Sequence, residues 1–230
     1  MGLIMVTHLR PGKNGDVNDL KLRKKAGRAL LLHLHEYEIK GFHIRSVTSD
    51  NEGAIKAVKP SVKDLSVEFS VQGHGTHMPH AESAIRHMKN KARAVLHGLQ
   101  FPLPSKLAAP LITFVVTTVN MVPKINSPGH LPAFTAFKGR DPNLSVDAPF
   151  PFGTTGILQR ASGPSYNSSM SRGDYCLWLG TTRNLKGTHK CLNLDTFKEI
   201  IGDVFRPTPI TDLAIQRMRI LSGPVSIYRE

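Results

Sequence analysis

The order in which apolar patterns follow one another constrains the fold of this chain most. The run "LIMVTHL" predicts a buried strand, residues 17–40 carry a helical repeat, and "FHIRSVTSD" and "LSVEFSV" predict two more strands. Two helices follow, at Pro79–Gly98 and Leu107–Val122, separated by the helix-breaking "FPLP". Strand, helix, strand, strand, helix, helix is typical of an α/β layer fold with a mixed sheet flanked by helices.

The composition changes near residue 147. Downstream, short apolar runs alternate with turn residues: "GTTGILQ", "DYCLWLG", "THKCLNL" and "FKEIIGDVF". This spacing predicts a small all-β barrel or curled sheet. We therefore predict one domain at 1–147, a β module at 148–208 and a basic, flexible tail at 209–230.

The charge balance is strongly basic. Lys and Arg number 30 against 17 Asp and Glu, a formal net charge of +13. Such a balance favours a polyanionic partner, although a basic surface that only keeps the protein soluble is the alternative. No apolar run approaches the roughly 18 residues that a membrane-spanning helix needs, so we predict no membrane span. Two cysteines indicate a reducing compartment without a disulfide framework.

Two acidic residues stand where a metal ligand would be useful. Asp50 directly follows a predicted strand, and Glu82 opens the helix that begins at Pro79. Arg86, Lys89 and Arg93 follow Glu82 at i+4, i+7 and i+11, which places all four on one helix face. Carboxylates that hold a divalent cation, beside cations that hold phosphates, suit phosphodiester chemistry. The alternatives are an ordinary turn at Asp50 and a solvated face on the helix.

Other polar clusters have simpler interpretations. The spacing of His74, His77 and His80 could indicate zinc, but a histidine-containing loop near DNA is the plainer hypothesis. The basic run "KLRKK" is a solvated face, a DNA contact or a nuclear-import signal. Trp178 and the two cysteines, Cys176 and Cys191, fall in apolar strand patterns, so we predict that all three belong to the core.

The stretch "SDNEGAI … GTHMPHAESAIRHMKNKAR" resembles the second half of a retroelement (retrotransposon) integrase core of the copia type. The shared features are an Asp-Asn-x-Gly turn after a strand, a loop with glycine and proline, and a helix that opens on Glu before basic residues. The positions concerned are Asp50, Asn51, Gly53, Gly73, Gly75, Pro79, Glu82, Arg86, Lys89 and Arg93. "LPAFTAFKGRDPNLS" and the later β runs are similar to the segment and the small SH3-like module that follow this core. The resemblance covers about residues 3 to 208.

The resemblance implies an RNase H-like fold and an Asp-Asp-Glu triad that binds two Mg²⁺ (or Mn²⁺) ions. The reaction implied is DNA integration, by cleavage and strand transfer that join element ends to target DNA. Asp50 would be the second acid and Glu82 the third, both binding metal, while Arg86, Lys89 and Arg93 would contact DNA. The family also implies a homo-oligomer and action in the nucleus, with a cytoplasmic particle as the alternative.

The first acid of the triad should lie on a strand upstream of "LIMVTHL". We therefore expect a partial RNase H-like core, its first strands missing, followed by the SH3-like barrel. Three hypotheses remain open for the function of this chain. It is a fragment of an integrase, a catalytically dead DNA-binding remnant of a retroelement polyprotein, or an unrelated basic scaffold protein.

Overall fold

The computed structural model describes residues 20–49, 67–71, 79–123, 128–159, 173–182 and 187–223. They fall into two compact units, an N-terminal unit within Met5–Arg86 and a C-terminal unit within His87–Glu230. Both helices and strands are present, which confirms the mixed α/β class. The predicted first strand at 3–9 lies outside the described residues.

The N-terminal unit contains helix α1 (Leu20–Ile39) and strands β1 (Ser46–Ser49) and β2 (Glu68–Val71). The helix ends as the sequence predicts, because Gly41 adopts φ 79° and its amide donates to the Glu38 carbonyl at 2.8 Å. The two strands pair in parallel, with Val47 opposite Phe69. A small apolar cluster around Leu34 and Val67 joins the helix to the strands.

Helix α2 (Pro79–His97) follows and contains the division between the units. Proline suits a helix start, and the predicted helix is confirmed. Its apolar stripe is buried or half-buried from Met88 onward, at Ala92, Val95 and Leu96, whereas Ile85 is exposed. The helix ends before "FPLP" (Phe101–Pro104), as predicted.

The C-terminal unit contributes four more helices to the described residues: α3 (Ala108–Met121), α4 (Ala133–Lys138), α5 (Leu144–Asp147) and α6 (Asp212–Ser222). A 3-10 turn at Ser105–Leu107 leads into α3. Three threonines are tolerated in this apolar helix because their hydroxyls donate to carbonyls one turn back, as Thr117 does to Thr113 at 2.9 Å.

Five strands form one antiparallel sheet: β3 (Thr155–Gln159), β4 (Gly173–Thr181), β5 (His189–Asn193), β6 (Glu199–Gly202) and β7 (Phe205–Pro207). Their order is β6-β5-β4-β3-β7. The run "FKEIIGDVF" therefore provides two strands, at opposite edges of the sheet, where the sequence predicted one. No closed barrel is found among the described residues.

The sheet is nevertheless curled. Only two residues separate Gly202, which ends one edge strand, from Phe205, which begins the other. Three Cα steps span at most about 11 Å, whereas four strand spacings in a flat sheet span about 19 Å. The two edges must therefore approach each other, and an apolar cluster fills the curled sheet: Leu158, Cys176, Trp178, Cys191 and Phe205. The predicted burial of the tryptophan and both cysteines is confirmed.

The main core lies between the sheet and the helices. Leucines of β4 and β5 contact buried residues on α2, α3 and α6, including Ala92, Leu111, Val115, Ala214 and Met218. This cluster combines residues from both sides of position 147, and the two compact units of the chain meet between residues 86 and 87.

The C-terminal segment corrects another expectation. Residues 209–230 were predicted to be a basic, flexible tail, but Asp212–Ser222 forms α6. Thr211 caps the helix by accepting the Ala214 amide at 3.2 Å, and Ala214 and Met218, one turn apart, are fully buried. Residues 224–230 lie outside the described part of the chain. None of the helices described is long and apolar enough to cross a membrane.

Candidate nucleic-acid interface

The predicted basic face lies on α2. Glu82 stands in the first turn of the helix, and its side chain and those of Arg86, Lys89 and Arg93 are all exposed. At about 100° per residue these four positions fall within an arc of about 60°, and at about 1.5 Å per residue they extend about 16 Å along the axis. The helix thus presents one acid followed by a row of three cations, as the sequence predicts.

The three cations make no ion pair with a described carboxylate, although Glu82 lies one turn before Arg86 on the same face. Among the residues that the structure describes, no carboxylate lies within ion-pair distance of Arg86, Lys89 or Arg93. Arg93 donates one hydrogen bond, at 3.1 Å, to the neutral side chain of Asn90. Like charges spaced three and four residues apart on a helix repel each other, so this arrangement has an energetic cost.

Three other basic residues, all in the C-terminal unit, are ion-paired. The Arg140 guanidinium binds Asp147 through two hydrogen bonds, at 2.6 and 2.8 Å, and this pairing lowers the pKa of Asp147. Lys190 contacts Glu199 at 2.9 Å, and Arg217 pairs with Asp195. Unlike these three residues, the basic row on α2 has no described carboxylate partner that would compete with a polyanion.

The second predicted acid, Asp50, lies outside the described residues. Strand β1 is described as far as Ser49, the residue before Asp50 in the sequence. His74 and His77 also lie outside the described residues. Within the described ranges, no three His, Cys, Asp or Glu side chains come together as a group that could hold a metal ion. The residues present therefore do not establish a fit for Mg²⁺ at Glu82.

The remaining candidates are unsuited to binding a polyanion. A cavity of about 250 Å³ lies between Gly98–Phe101, Pro151–Thr155 and Thr208, but no charged residue lines it. Both cysteines are fully buried, and the Cys176 thiol raises the pKa of Cys191 above its usual range, which keeps that thiol protonated.

Sequence reasoning missed one buried polar contact. The Trp178 indole N–H donates to Nδ1 of His189, a residue that the sequence did not single out. The two residues are eleven positions apart, and only the pairing of β4 with β5 brings them together.

Comparisons with known proteins do not identify a family for this chain. No protein-family model matches the chain, and a search of curated proteins gave no match.

Proposed function

We propose that this chain is part of a retroelement integrase region of the copia type and that the exposed face of α2 binds DNA. The observation that carries the proposal is the row Arg86, Lys89 and Arg93, exposed and without a carboxylate partner among the described residues. Within the folded protein such a row is self-repelling, whereas a phosphate backbone would neutralise it and release counterions.

The fold gives the proposal further support. A parallel pair of strands packed on α1 is compatible with the mixed sheet expected of an RNase H-like core. Asp50 follows the first strand of this pair, and Glu82 opens the next described helix, in the order that the resemblance implies. The curled five-stranded sheet is likewise compatible with an SH3-like module.

In binding of this kind the protein contacts the phosphates and not the base edges. Each neutralised phosphate contributes about 0.9 to the slope of log affinity against log salt on duplex DNA. Three cations in a row therefore predict tight binding at low salt, a steep loss at high salt and little dependence on DNA sequence.

The first test removes the row. We expect the variant Arg86→Gln, Lys89→Gln, Arg93→Gln to bind a duplex at least tenfold more weakly at fixed salt. Its salt slope should fall by up to about three, because each lost phosphate contact removes about one from it. Fluorescence anisotropy of a labelled duplex at several salt concentrations measures both quantities.

A matched variant controls for net charge. Lys138→Gln, Lys198→Gln, Arg206→Gln removes three positive charges as well, from exposed positions of the C-terminal unit outside α2. It should leave most of the affinity and the slope intact. If both variants weaken binding equally, basic composition alone accounts for the DNA affinity, and the proposed interface on α2 is wrong.

The catalytic and non-catalytic hypotheses require a different measurement. A Mg²⁺-supplied assay of DNA cleavage and strand transfer should show no turnover in the isolated chain, since the first acid of the triad is expected upstream of it. Turnover that Glu82→Gln abolishes without changing DNA affinity would establish the enzyme. Turnover that survives Glu82→Gln would instead indicate a contaminating nuclease. Absence of turnover with intact binding is the result expected of both an integrase fragment and a catalytically dead remnant, and it excludes catalysis by the isolated chain.

A further inference from the structure

His189 lies in an aromatic environment at the start of β5. Its ring centroid is 5.8 Å from that of Phe150 and 5.9 Å from that of Phe205. Its Nδ1 accepts the indole N–H of the fully buried Trp178 at 3.2 Å. Trp178 in turn makes edge contacts with Phe114 of α3 and with Phe150. One histidine nitrogen is therefore the hydrogen-bond acceptor at the centre of the aromatic cluster.

The hydrogen bond requires a neutral imidazole. A protonated histidine carries hydrogen on both ring nitrogens, and Nδ1 would then face the indole N–H as a second donor. The half-buried ring would also bring a charge among Phe150 and Phe205. Burial accordingly lowers the pKa of His189, while Asp203 in the turn before β7 acts in the opposite direction. The neighbouring Lys190 is paired with Glu199.

We propose that the protonation state of His189 controls the packing of the sheet. The neutral imidazole accepts the Trp178 indole N–H and so connects β5 to Trp178, whereas the protonated imidazole releases the indole and loosens the aromatic cluster. The groups around the ring support this direction. From β4 it meets the indole of Trp178, and from the other packed segments it meets Phe150 and Phe205. Asp203 is the charged group among them, and it only moderates the effect of burial.

The direction of the pH dependence follows from the linkage between proton binding and folding. A histidine whose folded pKa lies below the ordinary value of 6.5 binds fewer protons in the folded state than in the unfolded state. Its contribution to stability is complete above pH 6.5 and is lost as the pH falls through 6.5 towards the lowered folded value. The hydrogen bond between Trp178 and His189 is therefore lost on the acidic side of neutrality.

Trp178 is the sole tryptophan of the chain, so its fluorescence reports directly on the state of this hydrogen bond. We expect its emission maximum to shift to longer wavelength as the pH falls from 8 to 5, with a midpoint below 6.5, because the released indole meets water. His189→Gln keeps an acceptor but does not titrate, so its emission should stay constant over the same range. His43→Gln, an exposed histidine of the N-terminal unit, should retain the transition.

Two outcomes would overturn the proposal. One is an emission transition that persists unchanged in folded His189→Gln. The other is an NMR titration of the unmodified protein in which the His189 ring protonates at or above pH 6.5. The NMR measurement decides the matter even if His189→Gln fails to fold, since it needs no variant.

Discussion

Replacing Met218 by Ala should lower the free energy of unfolding by about 2–5 kcal/mol. The Met218 side chain is fully buried in the main core, where α6 meets the sheet and α3. Truncation leaves a cavity that the neighbouring leucines fill only in part, so lost contacts add to lost burial. Urea unfolding followed by circular dichroism at 222 nm measures the change.

The same helix supplies the control. Ile220, two residues further on, is 71% exposed, and Ile220→Ala should change stability by at most about 0.5 kcal/mol. A small effect at both positions would mean that α6 does not pack on the core in solution, and the earlier expectation of a flexible tail would be restored. Loss of DNA affinity in Met218→Ala at a temperature where it is folded would show that α6 also affects the interface.

Gly156→Ala should destabilise the sheet by about 3 kcal/mol or more, at the upper end of the range for overpacked cores. A Cβ at Gly156 would lie 2.3 Å from the Arg206 carbonyl oxygen and 2.6 Å from the Phe205 ring. The obstacle is paired backbone, because Gly156 lies opposite Pro207 in the β3–β7 ladder. Relief therefore requires β7 to move away from β3. Thermal unfolding and the chemical shifts of β7 would report the displacement.

Gly98→Ala is the matched substitution. The nearest atom to a Cβ at Gly98 is the Val95 carbonyl oxygen at 3.4 Å, an ordinary contact. We expect a change within about 0.5 kcal/mol there. If Gly156→Ala is as mild as Gly98→Ala, β7 does not lie against β3 as described.

Hydrophobic periodicity predicted helix α2 but not helix α6. The stripe through Met88 and Ala92 and the stop at "FPLP" were sufficient to place α2, because a long repeat averages over local exceptions. Helix α6 was missed because buried Met218 lies between Arg217 and Arg219, which gave the segment the composition of a basic tail. Its cap, Thr211, was the available signal.

The run from Phe197 to Phe205 shows another limit. Its apolar content predicted one strand. The pair Gly202-Asp203 is a local turn signal, but nothing local indicated that the chain would pass there from one edge of the sheet to the other. Tertiary contacts decide that: in β6, Ile200 faces the interior of the curled sheet, and in β7, Phe205 does.

The candidate site was likewise predicted only in part from the sequence. Helical spacing alone placed Arg86, Lys89 and Arg93 on one face, and the structure agrees. That these cations lack carboxylate partners could not be predicted, because pairing depends on side chains that are distant in sequence. The contact between Trp178 and His189 arises from strand register and an irregularity between Trp178 and Gly180, and sequence patterns carry neither.

The two-residue link between β6 and β7 also bears on self-association. An open sheet exposes unpaired amides and carbonyls at its outer strands, and these can recruit another chain. Here the two outer strands are drawn towards each other, and one of them ends at Pro207, which has no amide hydrogen to offer. The five-stranded sheet is thereby protected against edge-to-edge pairing with another chain.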